Sequence, residues 1–435
     1  MMSPIRRIEY PELFFGFVSP IGTDLVPVVA EFRRYFEEQR YRVIEIKATD
    51  IFPLLAKYTA ALRPLQQAPL HARYKSYIEY GNQLRENLRD DAILALLTVH
   101  RIIRRRLRLP VSDAKDRFSR VVFLLHQFKR EEEIELLRAV YGNLFFQVSV
   151  YSRRGARVDY LSRRFANSQY SAHAQQFRSQ AEEIIQQDEN ERDVPHGQRV
   201  GYIFHDADFI LNVDVGNEEV LRQIHRFCDL IFSSNRYSPS RMEYGMFAAK
   251  AAALRTLDLS RQVGAALFTH DAEIITLGAN EVPKGGGGTY WSDDANDDRE
   301  YVRGHDSNDL RKREILAELA EAISGEQSMA ALLKNRRVHD SQFMDALEYG
   351  RIVHAEMSAI TDAARLGRSV KDSVLYVTTF PCHMCAKHIV AAGTRKVVFL
   401  EPYPKSLASE LHGDSIQIEG SDRGRALPEL CSRTT

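Results

Sequence analysis

The first half of the chain alternates between apolar runs and stretches in which apolar residues recur at helical spacing. The apolar runs predict β-strands at residues 13–18, 41–46, 120–125, 144–151 and 209–213. The helical pattern covers residues 25–40, 129–142 and 218–232. Because strands that alternate with helices form βαβ units, this half predicts a mainly parallel sheet. The polar residues 165–200 predict an exposed helix and loop.

A polar segment at residues 233–240 separates the two halves and predicts two domains, 1–232 and 233–435. The second half predicts an alanine-rich helix at 241–260, a strand pair at 263–268 and 273–277, and then a long polar insertion. A helix that starts at His354, a strand at 374–377, a cysteine-bearing helix and a closing strand at 397–400 complete a second α/β unit.

Composition narrows the class of protein. Lys+Arg and Asp+Glu both total 59, which argues against indiscriminate binding to nucleic acid or membranes. Four cysteines in 435 residues are too few for a disulfide scaffold. The N-terminal stretch lacks the apolar core of a signal peptide and any run of membrane-spanning length. We therefore expect a cytoplasmic, reducing-compartment protein with no membrane segment.

Two short motifs point to a zinc site. His354 and Glu356 form an HAE motif, and Cys382 and Cys385 form the motif PCHMC, which follows a predicted strand. Cysteines three residues apart lie on one face of a helix, and the helix N-terminus favours their thiolate form. Two cysteines and one histidine leave the fourth tetrahedral position of Zn²⁺ open, which is typical of catalytic sites.

Glu356 is the residue that distinguishes catalysis from a structural role. Two positions apart in a regular helix, His354 and Glu356 would point in nearly opposite directions. Both can address one site only if His354 lies at the irregular start of the helix. Glu356 would then act as general base and acid. The alternatives are a structural zinc knuckle, for which the sequence offers no second CxxC or HxxxH, and a redox pair.

HAE followed by PCHMC resembles the cytidine deaminase superfamily, whose signature is HxE…PCxxC. Residues 262–265 (QVGA), 278–283 (GANEVP) and 379–380 (TF) make the likeness closer to the deoxycytidylate deaminase branch, across roughly residues 240–412. The resemblance implies hydrolytic deamination at C4 of cytosine, with Glu356 as proton shuttle. It implies that Asn280 contacts the sugar and that Arg261 helps seat the nucleotide. Asn280 could instead be a turn residue, and Arg261 a helix C-terminal cation.

Residues 16–24 (GFVSPIGTD), between a predicted strand and helix, resemble the start of a P-loop kinase. The loop residues would include Gly16, Gly22, Thr23 and Asp24. A working loop, GxxxxGK[ST], needs Lys to reach the phosphates and Ser or Thr to hold Mg²⁺, and no lysine falls in this one. We expect a degenerate P-loop-kinase-like parallel-sheet domain, followed by a cytidine-deaminase-like α/β/α domain. Whether the first domain binds a nucleotide, or serves regulation or assembly, stays open.

This domain pair resembles bacterial anti-phage dCTP deaminases across nearly the whole chain. The resemblance implies deamination of dCTP, and of dCMP, to collapse the DNA precursor pool during infection. Some members of that family are silenced by a partner RNA, which the first domain would hold here. Likeness to deoxycytidylate deaminases also implies a homo-oligomer and regulation by dTTP. The alternative activity is deamination of cytosine in RNA or single-stranded DNA.

Three local features have two interpretations each. The arginine-rich stretch 100–109 (HRIIRRRLRL) is either a solvated helix face or a site for RNA or nucleotide phosphates. The acidic insertion 291–309 either holds Mg²⁺ that accompanies a triphosphate or forms a lid or interface. Lys405 is either a triphosphate contact or a surface charge. Trp291, at the start of the acidic insertion, is a further candidate substrate contact.

Overall fold

The computed structural model describes residues 10–58, 64–110, 117–189, 203–204, 206–324, 335–339, 341–403, 406–418 and 429–432. The chain divides into two compact units between Tyr237 and Ser238. This division lies a few residues beyond the domain boundary expected from the sequence. In the described residues, no helix combines the length and the apolar character needed to cross a bilayer.

The N-terminal unit is built on a five-stranded parallel sheet with strand order β2-β3-β1-β4-β5. Its central strands β1 and β3 are buried at every position, which explains their unbroken apolar sequences. The strands are β1 (Leu13–Val18), β2 (Arg42–Lys47), β3 (Val121–His126), β4 (Phe145–Tyr151) and β5 (Phe209–Asn212). The helices are α1 (Val26–Glu38), α2 (Phe52–Leu55), α3 (Leu70–Leu88), α4 (Ile93–Leu107), α5 (Glu131–Tyr141), α6 (Arg154–Ser168), α7 (Arg178–Glu189) and α8 (Asn217–Ile231).

Two predictions for this unit are wrong. Gly16 lies inside β1, paired with Leu125 and Gln147, so the loop after the strand begins at Ser19 and excludes Gly16. The stretch expected to be an exposed helix and loop contributes to a core instead, because Phe165 of α6 and Ile185 of α7 are fully buried in one apolar cluster. The few apolar residues of this stretch lie on one face of each helix. The high average polarity of the stretch hides that pattern. The remainder of that stretch, residues 190–200, lies outside the described residues.

The C-terminal unit is a three-layer α/β/α structure around a sheet with order β10-β11-β9-β8-β6-β7. Helix α9 packs on one face, and α13 and α14 pack on the other. The strands are β6 (Gly264–Phe268), β7 (Ile274–Ala279), β8 (Val374–Thr379), β9 (Lys396–Glu401), β10 (Gln417–Ile418) and β11 (Glu429–Ser432). The helices are α9 (Arg241–Ala253), α10 (Glu300–Arg303), α11 (Ser307–Ser324), α12 (Arg336–His339), α13 (Ala355–Arg365), α14 (His383–Ala391) and α15 (Ala408–Leu411).

Two expectations for this unit need correction. The alanine-rich helix ends at Ala253 rather than at residue 260, and the chain then continues as a loop to β6. Strand β9 does not close the sheet, because β11 pairs beside it in parallel and β10 pairs beside β11.

The contact between β7 and α13 leaves no room for a side chain at Gly278. A Cβ at this position would lie 2.1 Å from the Ala355 carbonyl oxygen. We expect Gly278→Ala to destabilise the C-terminal unit by about 1–3 kcal/mol, since the helix must move away from the strand. Calorimetry should show a lower melting temperature for that unit.

The matched control is Gly285→Ala, where no atom lies within 4 Å of the added Cβ. Its melting temperature should stay close to that of the parent protein. Equal melting temperatures for the two variants would contradict the close packing of β7 on α13.

Candidate active site

Two helices begin at the site, and each is preceded by a candidate metal ligand. His354 precedes α13 with extended backbone angles, φ −65° and ψ 155°. Cys382 precedes α14 with φ −68° and ψ 166°. Because His354 has a non-helical backbone, its side chain and that of Glu356 can face the same point although they are two residues apart.

The side chains of His354, Cys382 and Cys385 bring three ligand atoms together. His354 Nδ1 lies 3.3 Å from Cys382 Sγ and 3.4 Å from Cys385 Sγ. All three ligand atoms fall within 4.8 Å of one another. One imidazole nitrogen and two sulfurs at this separation fit Zn²⁺ and leave a fourth tetrahedral position free. The residues present therefore suit a catalytic zinc ion.

The position of Cys382 before α14 favours its thiolate. Its sulfur accepts a hydrogen bond from the Cys385 backbone N–H at 3.4 Å. The hydrogen bond with the Cys385 side chain, together with the neighbouring His354, lowers the pKa of Cys382 to about 4. The hydrogen bond with Cys382 raises the pKa of His354 to about 9. The same contact and burial raise the pKa of Cys385. A divalent cation would favour deprotonation of all three groups.

Glu356 is enclosed beside the ligand cluster. Its side chain is buried, and its Oε2 accepts a hydrogen bond from Cys385 Sγ at 3.5 Å. Burial raises the pKa of this carboxyl group, because a low-dielectric environment disfavours the charged form. A carboxyl group in this environment is suited to accept and return a proton.

A cavity of about 400 Å³ opens onto His354, Glu356 and Cys382. Its apolar wall includes Val263 and Phe380. Polar side chains also line it, among them Asp258, Asn280, Arg261, Asp345 and Tyr403. A concave cavity that combines apolar surface with several convergent polar side chains suits a small-molecule ligand.

Asn280 lies in this cavity, with its amide engaged by the neighbouring loop. Its Nδ2 donates to Asp258 Oδ2 at 2.6 Å and to the Arg261 carbonyl oxygen at 2.7 Å. Its Oδ1 accepts from the Val263 N–H at 2.6 Å. Asn280 thus anchors the loop between α9 and β6 at the cavity. Contact with a sugar stays a prediction.

Arg261 also lines the cavity, and its side chain is 51% exposed. Its Nη1 lies 3.7 Å from Glu401 Oε2. Since α9 ends at Ala253, Arg261 is not a cation at a helix C-terminus, and that alternative is wrong. A half-exposed guanidinium at the cavity can meet an anionic substrate.

Trp291 is not part of the cavity wall. Its ring packs against Arg255, whose guanidinium carbon is 3.6 Å from the ring centroid, and Arg255 donates to Thr289 Oγ1. Lys405 lies outside the described residues. The structure therefore brings the zinc ligands, Glu356, Asn280 and Arg261 together, and keeps Trp291 apart from them.

Lysine and arginine side chains of the protein form ion pairs with aspartates of the acidic insertion. Asp294 pairs with Lys284, and Asp297 pairs with the buried Arg299. Asp298 contacts both Arg303 and Arg351. These pairings favour a structural role for the carboxylates, and Mg²⁺ binding stays a prediction.

The sequence analysis missed two parts of the cavity wall. Asp258 organises the loop before β6 by accepting hydrogen bonds from Ser260 and Asn280. Met344, Asp345 and Leu347 enter from the insertion between β7 and α13. The D-x-S pattern at 258–260 is a local turn signal, whereas no sequence spacing connects 344–347 with the zinc motifs.

A second cavity, of about 210 Å³, lies in the N-terminal unit at the carboxyl ends of β1 and β3. The degenerate loop residues Gly22 and Thr23 line it. Gly22 has φ +89°, a conformation that favours glycine. Asp24 accepts hydrogen bonds from the Val26 N–H and the Tyr160 hydroxyl, outside the cavity wall.

Comparisons with known proteins identify the C-terminal unit. Residues 239–401 match the family model for the cytidine and deoxycytidylate deaminase zinc-binding region. Deoxycytidylate deaminase of Enterobacteria phage T2 is 32% identical over 148 residues, which are 34% of this chain and 72% of the phage protein. Deoxycytidylate deaminase of Mus musculus is 29% identical over 158 residues, which are 36% of this chain and 63% of the mouse protein.

For the N-terminal unit, the comparison with solved structures gives a weak likeness to a kinase. Shikimate kinase from Bacteroides thetaiotaomicron is 11% identical, with a TM-score of 0.26 over 51% of this chain and 98% of the kinase. A score this low says nothing about activity. The N-terminal unit has the α/β architecture with a parallel sheet that the sequence predicts. The HxE and PCxxC motifs, the clustered ligands and the extent of the phage match show that the chain belongs to the deoxycytidylate deaminase family and is a zinc-type nucleotide deaminase.

Proposed function

We propose that this chain hydrolyses dCTP to dUTP and ammonia, acts on dCMP as well, and thereby depletes dCTP during phage infection. The observation that carries the proposal is the buried Glu356 beside the His354, Cys382 and Cys385 cluster at the cavity. The relatives named above are deoxycytidylate deaminases, which supports a deoxycytidine nucleotide as substrate. Arg261, half exposed at the cavity, is the described cation best situated for its phosphates.

The proposed reaction forms a C4–O bond from water and breaks the C4–N bond of cytosine. Zn²⁺ held by His354, Cys382 and Cys385 would supply Lewis-acid activation of the attacking water. Glu356 accepts one proton from that water and delivers it to N3 of the base. It then takes the second proton from the hydroxyl group formed at C4 and delivers it to the departing amine, which leaves as ammonia. Glu356 is buried except where it lines the cavity, so a substrate in the cavity would be its nearest proton acceptor.

The first experiment compares turnover of dCTP, dCMP, CTP and deoxycytidine by chromatography. We expect dUTP as the product from dCTP and dUMP as the product from dCMP. Glu356→Gln should lower kcat by about 10²–10⁴-fold, because the amide cannot exchange protons. Glu273→Gln, which changes an exposed carboxylate next to β7, should retain the parent rate.

Other outcomes of this assay would redirect the proposal. Deamination of cytosine in RNA or single-stranded DNA, with no turnover of free nucleotides, would replace it with the polymeric substrate. Turnover of dCMP without turnover of dCTP would refute the proposed dCTP depletion. Repeating the assay with dTTP tests the proposed regulation, which an unchanged rate across physiological dTTP concentrations would contradict.

Zinc analysis of the purified chain tests whether it binds the metal. We expect roughly one zinc ion per chain, and loss of most of it in Cys382→Ala, since two ligands hold Zn²⁺ weakly. Cys228→Ala is the matched control, because Cys228 is buried in the N-terminal core and does not belong to the ligand cluster found among the described residues. Equal zinc contents in the two variants would exclude Cys382 as a ligand.

An RNA bound by the N-terminal unit is the regulatory part of the proposal. An exposed groove of about 340 Å³ is lined by Arg101, Arg104, Arg105 and Arg108 of the arginine-rich stretch. Arg101 is engaged with the Lys47 carbonyl oxygen and Asp50, whereas Arg104 and Arg105 make no ion pair with the described residues. Unpaired arginines along one helix can bind successive phosphates.

We expect Arg104→Gln combined with Arg105→Gln to weaken binding of a fluorescein-labelled 20-nucleotide RNA. The slope of log affinity against log salt should become shallower by about 0.7 for each phosphate that the protein no longer neutralises. Fluorescence anisotropy at several salt concentrations measures both effects. Arg163→Gln combined with Arg222→Gln removes the same charge outside this groove. This double variant should change neither the RNA affinity nor its dependence on salt. Equal weakening in both double variants would indicate unspecific attraction to charge.

A further inference from the structure

A fully buried carboxylate lies against the degenerate loop of the N-terminal unit. Asp188, on α7, has no exposed surface. Its Oδ2 accepts a hydrogen bond from the Ile21 backbone N–H at 2.6 Å. Its Oδ1 lies 2.9 Å from Lys129 Nζ. The carboxylate therefore lies between a backbone donor and an ammonium group, although α7 is distant in sequence from both.

Both partners lie at the carboxyl edge of the parallel sheet. Ile21 belongs to the loop between β1 and α1, and Lys129 follows β3, the neighbour of β1 in the sheet. Lys129 Nζ also donates to the Ser19 carbonyl oxygen at 2.8 Å. The lysine ammonium thus connects this loop with Asp188.

These donors have the chemistry of a phosphate site. Phosphate-binding loops after a strand offer backbone N–H groups and a lysine ammonium to phosphate oxygens. The loop here carries no lysine, and Lys129 supplies the ammonium from the adjacent strand end. Carboxylate and phosphate oxygens accept the same charge-assisted hydrogen bonds. The donors that would hold a phosphate hold Asp188 instead.

The adjoining cavity gives a phosphoanion somewhere to bind. Ser19, Ile21, Thr23 and Lys129 all line it. Thr23 Oγ1 is buried there and has no hydrogen-bond partner among the described residues. The site therefore offers a hydroxyl donor besides the two that Asp188 uses.

We propose that this loop and Lys129 form an oxyanion site that the protein fills with its own Asp188 carboxylate, so that the parent chain excludes phosphoanions from it. A phosphoanion entering the site would either face the carboxylate or separate it from Lys129. Separation leaves a buried charge without its partner, which is strongly unfavourable. Removing the charge of Asp188 should therefore create binding where the parent chain has none.

The test uses the full chain and inorganic pyrophosphate, with binding measured by isothermal titration calorimetry. We expect Asp188→Asn to bind pyrophosphate at least about tenfold more tightly than the parent chain. Adding Lys129→Gln to Asp188→Asn should abolish the gain. The matched control is Glu183→Gln on the same helix, which removes an exposed carboxylate paired with Lys75 and should create no binding.

A purely structural role for Asp188 would not produce a gain of anion binding. The proposal would be overturned if the parent chain bound pyrophosphate as tightly as Asp188→Asn does. It would also be overturned if Asp188→Asn folded but bound pyrophosphate no more tightly than the parent chain. If Asp188→Asn is poorly folded, pyrophosphate should raise its melting temperature, and that of Asp188→Ser, by several degrees, because a ligand of the folded state stabilises it. Failure of the anion to stabilise either variant beyond its effect on the parent chain would also overturn the proposal.

Discussion

The catalytic domain depends on a requirement that two helices begin at almost the same point. One imidazole nitrogen must lie near two sulfurs, and His354 Nδ1 is 3.3 Å and 3.4 Å from those of Cys382 and Cys385. Each helix is positioned by its packing on the shared sheet. The backbone of α13 approaches β7 so closely that Gly278 cannot carry a side chain. The central sheet thus determines the separation of the ligand atoms.

Local sequence patterns predicted most of the strands and the catalytic motifs. Strands β1 and β3 are apolar throughout because both faces of a parallel sheet are covered. The zinc ligands could be found because their chemistry demands particular residue types at short spacing. The irregular backbone at His354 also followed from the two-residue separation between His354 and Glu356.

The remaining features depend on contacts between distant parts of the chain. Strand β11 pairs with β9 after a long intervening segment, and no local signal marks β9 as an inner strand. The sequence shows Asn280 beside a turn, but not that three hydrogen bonds already engage its amide. The sequence leaves the aspartates of the insertion open between a cation site and a lid or interface, because a distant partner such as Arg351 can be recognised only in three dimensions.

The cavity wall and the ligand cluster come from different kinds of segment in the chain. Met344 and Leu347 belong to a connection whose described residues contribute no strand to the sheet, yet they form part of the cavity wall. Glu356 and the zinc ligands belong to helices whose positions the sheet determines. Loops of this kind tolerate insertion and substitution better than the elements that they join. Evolution can therefore alter the shape of the cavity through this connection while His354, Glu356, Cys382 and Cys385 keep their geometry.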